Sequence, residues 1–156
     1  MNGSDTCKTC ELTARRRLGK APLYDSIYQT KFWDVAHAFD TSLPGWLVLV
    51  LQRHIESLDE LTEQEAAELG PLIRRVSLSL KAVVGCVKTY VIQFAEAKDH
   101  PHVHFHIVPR LANQPADRRS TRVFAYLGVS QEESVSEDQM NEIGVRIRDE
   151  LHSTEG

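Results

Sequence analysis

Leu69, Leu72, Ile73, Val76, Leu80, Val83 and Val84 recur at the three- and four-residue spacing that lines one side of a helix. Thr62 followed three residues later by Glu65 makes a capping box at the head of this run, and Ser57 with Glu60 repeats the pattern just upstream. The spacing therefore predicts one long helix from about Glu63 to Val84, closed by Gly85 as its C-cap. Pro71 falls inside it, removes a backbone hydrogen bond and is expected to kink it. From Val87 to Phe94 the apolar period shortens towards two, and Val103 to Val108 reads the same way, so both segments are predicted strands. Ser26 to Val35 mixes Ile, Tyr, Phe and Trp with polar residues, and Trp46 to Leu51 is a continuous apolar run behind Pro44-Gly45. These read as two further strands joined by a turn. The acidic, Ser-rich stretch Gln131 to Gln139 reads as a linker to a last helix. Strands interrupted by one long helix, with a short helix at each chain end, predict an α+β fold in which helices pack on an antiparallel sheet.

The 156 residues suit a single domain, with a core over about residues 7–110 and a C-terminal linker and helix over 111–156. A formal net charge of −4 provides no global basic field, which disfavours a nucleic-acid polymer as partner. The local clusters Arg15, Arg16, Arg17 and Arg118, Arg119, Arg122 read as solvated faces. Met1 to Lys8 has no apolar stretch of the signal-peptide kind, and no later run approaches the roughly 20 residues that span a bilayer. A cytoplasmic protein without a membrane partner is expected. Three cysteines are an odd number in a chain long enough to fold unstapled, which fits a reducing compartment. Cys86, beside Gly85, reads as core.

Four of the seven histidines, His100, His102, His104 and His106, alternate with other residues over seven positions. On a strand, His102, His104 and His106 would share one face while Val103, Phe105 and Ile107 enter the core. At about 3.3 Å per residue the three imidazoles span about 13 Å, enough to line a short phosphate chain. A neutral imidazole offers one lone pair and one N–H, so one ring can attack phosphorus while its neighbour holds phosphate oxygens.

The run His102-Val103-His104-Phe105-His106-Ile107-Val108 resembles the histidine triad family motif, His-φ-His-φ-His-φ-φ with φ apolar, at all seven positions. Pro109-Arg110 after it, and Pro44-Gly45 before a Leu-Val-Leu-Val strand ending in Arg53-His54-Ile55, are similar to further family blocks. The resemblance covers Cys7 to about Arg110. It implies a meander sheet that pairs two protomers into a homodimer, and a nucleotide substrate. It also implies that His104 is the nucleophile forming a nucleotidyl-histidine and that His106 binds the transferred phosphate. Gln93 would contact phosphate and Asp40 would hold the ribose, each with a two-residue shortening of the intervening chain. Two departures stand out. Lys98-Asp99-His100-Pro101 replaces the Gly-Gln-Ser/Thr that many members carry, and Trp46 replaces a histidine that commonly follows Pro-Gly, at a position read as structural.

Cys7-Lys8-Thr9-Cys10 has zinc-ligand spacing, and zinc wants four ligands. By resemblance to the zinc-bearing branch of the family, the set is completed by His54 and His102, with His100 as the competing ligand. A closed Cys7, Cys10, His54, His102 site would hold a structural Zn2+ and tie the N-terminus to the histidine strand. The expected function is hydrolysis that releases a nucleoside 5′-monophosphate, AMP most simply, from a dinucleoside polyphosphate or phosphoramidate. The alternatives are a nucleotidyltransferase or dinucleotide phosphorylase, and a catalytically weak, zinc-stabilised nucleotide-binding regulator.

Overall fold

A computed structural model of the chain describes residues 7–155. Residues 1–6 and 156, on which the reading of the N-terminal stretch and the outer limits of the domain partly rest, lie outside the described residues. Three α-helices, α1 (Lys8–Arg17), α2 (Glu63–Val84) and α3 (Glu137–Ser153), and five strands, β1 (Tyr28–Gln29), β2 (Trp33–His37), β3 (Leu47–Leu51), β4 (Lys88–Ile92) and β5 (His104–Arg110), make up the framework. The strands form one antiparallel sheet in the order β1-β2-β3-β5-β4. This is the expected α+β architecture.

The long helix begins and ends where its signals stand. Thr62 accepts from the Glu65 backbone N–H, the Glu65 side chain answers to the Thr62 N–H, and Gly85 closes the helix at φ 68°. Leu72, Val76 and Leu80 of α2 meet Ile143, Ile147 and Leu151 of α3 and the inner sheet positions Val35, Leu47, Leu49, Phe105 and Ile107 in the main apolar core. Burying side chains of this kind contributes roughly 1.5–3 kcal/mol each. The helix runs unbroken through Pro71. On the opposite sheet face a smaller cluster gathers Ala38, Leu43, Trp46, Val108 and Val123.

Two expectations change. The segment Ser26 to Val35 is not one strand: Thr30 N–H bonds the Trp33 carbonyl, turning the chain between β1 and β2, and Tyr28 pairs with Val35. The Thr30 hydroxyl, taking the Trp33 N–H, reinforces that turn. Strand β5 starts at His104, so His102 precedes it and is not bound to its side-chain alternation. Gly45 shows why the Pro44-Gly45 turn is tight. Its φ is 91°, a Cβ there would stand 3.1 Å from Val84 Cγ1 and 3.3 Å from Pro109 Cγ, and its N–H donates to His37 Nε2 at 3.0 Å.

Candidate functional site

The register of β3 and β5 sets the site. Val50 lies opposite His104 and Val48 opposite His106, so these four side chains share the sheet face that α2 and α3 leave uncovered. They floor a cavity of about 530 Å³. Thr9, Leu12 and Arg16 of α1 form one wall, Phe39 and Asp40 after β2 another, and Phe94 to Ala97 and Phe124 with Leu127 complete it. Phe39 and Phe94 remain half-exposed there. Such a space, mostly apolar with a few polar groups converging on it, suits a ligand with a planar ring and a phosphate.

The hydrogen bonds decide which nitrogen of each ring is free. His104 Nδ1 lies 2.7 Å from the His102 carbonyl oxygen, which can only accept, so Nδ1 carries the proton and Nε2 keeps its lone pair. His106 Nδ1 lies 3.0 Å from the Trp46 indole nitrogen, which can only donate, so the neutral His106 carries its proton on Nε2. The two rings stand 5.0 Å apart, centre to centre. One presents a lone pair to the cavity and the other an N–H. Burial lowers the His104 pKa against a smaller opposing effect of its carbonyl bond, and burial with help from His104 lowers that of His106 to about 4. Both rings are neutral at pH 7, the state that nucleophilic attack requires.

The other expected residues are distributed unevenly. Asp40 lines the cavity, as a ribose contact would require. Gln93 lies just past β4, half-buried, and is not among the lining residues, whose members on that segment are Phe94, Ala95, Glu96 and Ala97. His102 is fully buried and belongs to a different cluster, so of the three motif imidazoles only His104 and His106 line the cavity. Three further residues take part: His100, expected only as a competing metal ligand, Arg16, expected on a solvated face and in fact buried, and His37, for which no role was expected. His100 lines the cavity and bonds the Thr9 hydroxyl at 2.8 Å. His37 bridges the Ala38 carbonyl at 2.7 Å and the Gly45 N–H at 3.0 Å, and burial lowers its pKa to about 4. Arg16 reaches under the cavity to Asp25 at 2.8 Å and Asp34 at 3.4 Å, both buried. Burial still outweighs that guanidinium and holds both carboxyls above their usual range. No spacing in the sequence points to these contacts.

Cys7, Cys10, His54 and His102 form the second cluster, a candidate metal site whose four donor atoms all lie within 4.8 Å of one another. His102 Nδ1 is 3.7 Å from Cys7 Sγ, 3.6 Å from Cys10 Sγ and 3.2 Å from His54 Nδ1, and Cys10 Sγ is 3.2 Å from His54 Nδ1. Bonds of about 2.0–2.3 Å to one tetrahedral ion give donor separations of about 3.3–3.8 Å, close to this set. His102 Nε2 donates to the Leu51 carbonyl at 2.6 Å, so Nδ1 turns a bare lone pair towards the other donors. Two thiols and two imidazoles brought together around this lone pair are a two-cysteine, two-histidine donor set of the kind that binds tetrahedral Zn2+. Burial and the neighbouring Cys7 push the Cys10 thiol up to about 11, the opposition that a bound cation reverses. The residues fit Zn2+. His100, the competing ligand, is not in the cluster.

A family model described as the HIT domain matches residues 24–113. Among solved structures, the chain is similar to a Zn-bound histidine triad family protein from Mycobacterium smegmatis, with 17% identity, 97% of this chain and 96% of that one covered, and a TM-score of 0.65. A histidine triad protein from Bradyrhizobium japonicum is 23% identical over 81% of this chain and 89% of that one, at a TM-score of 0.67. A diadenosine triphosphate hydrolase from Plasmodium falciparum, in complex with cyclomarin A, is 17% identical over 83% of this chain and 78% of that one, at 0.63. These likenesses establish the fold.

Proposed function

The chain belongs to the HIT domain family, and from that premise we propose that it is a hydrolase releasing a nucleoside 5′-monophosphate, AMP most simply, from a dinucleoside polyphosphate or a phosphoramidate. The observation that carries the reading is the opposed state of two adjacent rings, His104 with a bare Nε2 and His106 with Nε2–H, on the floor of one cavity. His104 Nε2 attacks the α-phosphorus, forming a P–N bond as the bond to the leaving group breaks with its electron pair. His106 donates its N–H to a non-bridging oxygen, where negative charge builds in the transition state. Water then attacks the same phosphorus, the P–N bond breaks and the histidine is restored. In this reading Asp40, which lines the cavity, accepts from ribose hydroxyls and the apolar walls hold the base. Gln93, one residue before the lining segment Phe94 to Ala97, is in this reading a further phosphate contact beside His106.

Zinc has no step in this chemistry. Held by Cys7, Cys10, His54 and His102, it would fasten α1 to the segment that ends in His104. One domain spanning the chain, paired as a homodimer, completes the proposal; exposed Val91 on the edge strand β4 supports pairing. Among the described residues no helix is long and apolar enough to cross a membrane. Two thiols placed as metal donors and a buried third, Cys86, support a cytoplasmic location.

The test is incubation with adenylylated and guanylylated substrates, with chromatography of the products in water and in phosphate buffer. Nucleoside monophosphate in both buffers supports the hydrolase. The leaving group of a dinucleoside triphosphate is itself a nucleoside diphosphate in either buffer, so a second diphosphate in place of the monophosphate in phosphate buffer would assign a phosphorylase, and binding without product a regulator.

A further inference from the structure

Trp46 is fully buried just before β3, and an indole in that position is first of all apolar volume. Its ring stands edge-on to Phe124 at 5.7 Å and to His106 at 5.6 Å, so it packs within the cluster behind the cavity. A buried indole N–H also needs an acceptor, because leaving it unpaired costs about 1–3 kcal/mol. The acceptor is not a backbone carbonyl but Nδ1 of His106, at 3.0 Å.

That choice has a chemical consequence. An indole nitrogen has no lone pair to offer, so the bond exists only while His106 Nδ1 is unprotonated. It therefore excludes the Nδ1–H tautomer and opposes the imidazolium as well. The proton of the neutral ring is left on Nε2, the nitrogen on the cavity side, where among the described residues it has no partner. The other tautomer would place a lone pair against a phosphate oxygen, and the two would repel; a flipped ring would turn Cε1 to the oxygen and offer no N–H. Resting on the reading of His106 as phosphate donor, we propose that Trp46 is a positioning residue for the reaction: its indole N–H holds His106 in the Nε2–H tautomer that stabilises the charge on the transferred phosphate. A phenyl ring could fill much of the space, but it could not set the proton.

The experiment uses the full chain with zinc bound. Long-range 1H–15N correlation of histidine-labelled wild type reads the His106 ring directly. Nε2–H with Nδ1 as a hydrogen-bonded acceptor is expected, and a resting Nδ1–H tautomer would overturn the proposal. Two replacements then separate the N–H from the ring. Trp46→Phe removes the donor, and site-specific 3-benzothienylalanine at position 46 keeps the bicyclic shape with sulfur in place of N–H. With diadenosine triphosphate as probe, single-turnover formation of the His104 adduct should fall about 10- to 100-fold in both, with KM within about threefold, and the His106 spectrum should show mixed tautomers. A purely structural tryptophan predicts a different pattern, in which Trp46→Phe loses stability while the sulfur isostere reacts at the wild-type rate; that outcome also overturns the proposal. If wild type forms no adduct on His104, the nucleophile assignment has failed, and the nitrogen state of His106, read without turnover, still decides the part played by Trp46.

Discussion

His104 donates to the backbone of its own segment while His106 accepts from an indole, and these two contacts give the neutral rings opposite tautomers, on which the proposed division of roles rests. The expected phenotypes differ accordingly. His104→Ala should abolish turnover and the covalent adduct seen by mass spectrometry while nucleotide binding persists, because His106 and Asp40 remain. His106→Ala should slow the reaction by about 10² to 10³ and still yield an adduct on His104. An adduct that vanished from the second variant and survived in the first would exchange the roles. His37 makes a separate prediction. Its two nitrogens serve the Ala38 carbonyl and the Gly45 N–H, so only the neutral ring fits, and its pKa falls to about 4 from 6.5. A depressed pKa means that the stability is fully present above about 6.5. It is lost as the pH falls towards 4, because the unfolded chain takes the proton first, and the loss amounts to about 3 kcal/mol at most. Denaturant titrations of zinc-loaded wild type and His37→Gln should therefore converge as the pH drops from 7 to 5; a constant gap would refute the assignment. The histidine alternation was readable because the strand period is two. The tautomers were not, since Trp46 and His106 lie 60 positions apart in sequence and meet only in the fold.

At the scale of elements, α1 depends on its surroundings more than α2 does. Helix α2 has two sequence-coded ends and a continuous apolar stripe, and this is why its limits could be read from residues alone. Helix α1 buries Thr9, Thr13 and Arg16, a polar face that no hydrophobic period reveals. It is held instead by long-range contacts: Cys7 and Cys10 at the metal cluster, Thr9 on His100, the Lys8 N–H on the Asp99 carbonyl, and Arg16 on Asp25 and Asp34. The His54 and His102 pair came from resemblance, because spacing fixes only the two cysteines. The β1–β2 hairpin was missed because its turn is made by Thr30 without Gly or Pro. Removing the metal from protein prepared without a histidine tag should release α1 first. Zinc present at a thousandfold over its dissociation constant contributes about 4 kcal/mol, which in a chain of this size corresponds to a fall in melting temperature of about 10 °C. Scanning fluorimetry with and without chelator, beside metal analysis, reads that shift. Substoichiometric zinc with an unchanged transition would remove the site, though not the chemistry assigned to His104.

For the molecule as a whole, the question is whether the C-terminal part is an appendage or belongs to the fold that carries the site. The sequence suggested a linker and a last helix, because Gln131 to Gln139 is acidic and Ser-rich and gives no hint of where the helix beyond it packs. In the structure Ser136 caps α3, and Ile143, Ile147 and Leu151 enter the same core as α2 and the inner sheet face. The segment before it reaches the other face, with Val123 in the smaller cluster and Phe124 and Leu127 in the cavity wall. The chain beyond residue 110 thus contributes to both sides of the sheet, and a single cooperative unit is expected. Ile147 is fully buried at the centre of the α3 contact. Its replacement by alanine should cost about 2–5 kcal/mol, a large part of the roughly 5–15 kcal/mol that holds a domain together. Far-ultraviolet circular dichroism, tryptophan fluorescence from Trp33 and Trp46, and nucleotide binding should then report one coincident unfolding transition, displaced as a unit in Ile147→Ala. If α3 melted at lower denaturant while the tryptophan signal and nucleotide binding stayed at their wild-type midpoints, the cavity would be independent of the C-terminal helix and the single-domain reading would fail.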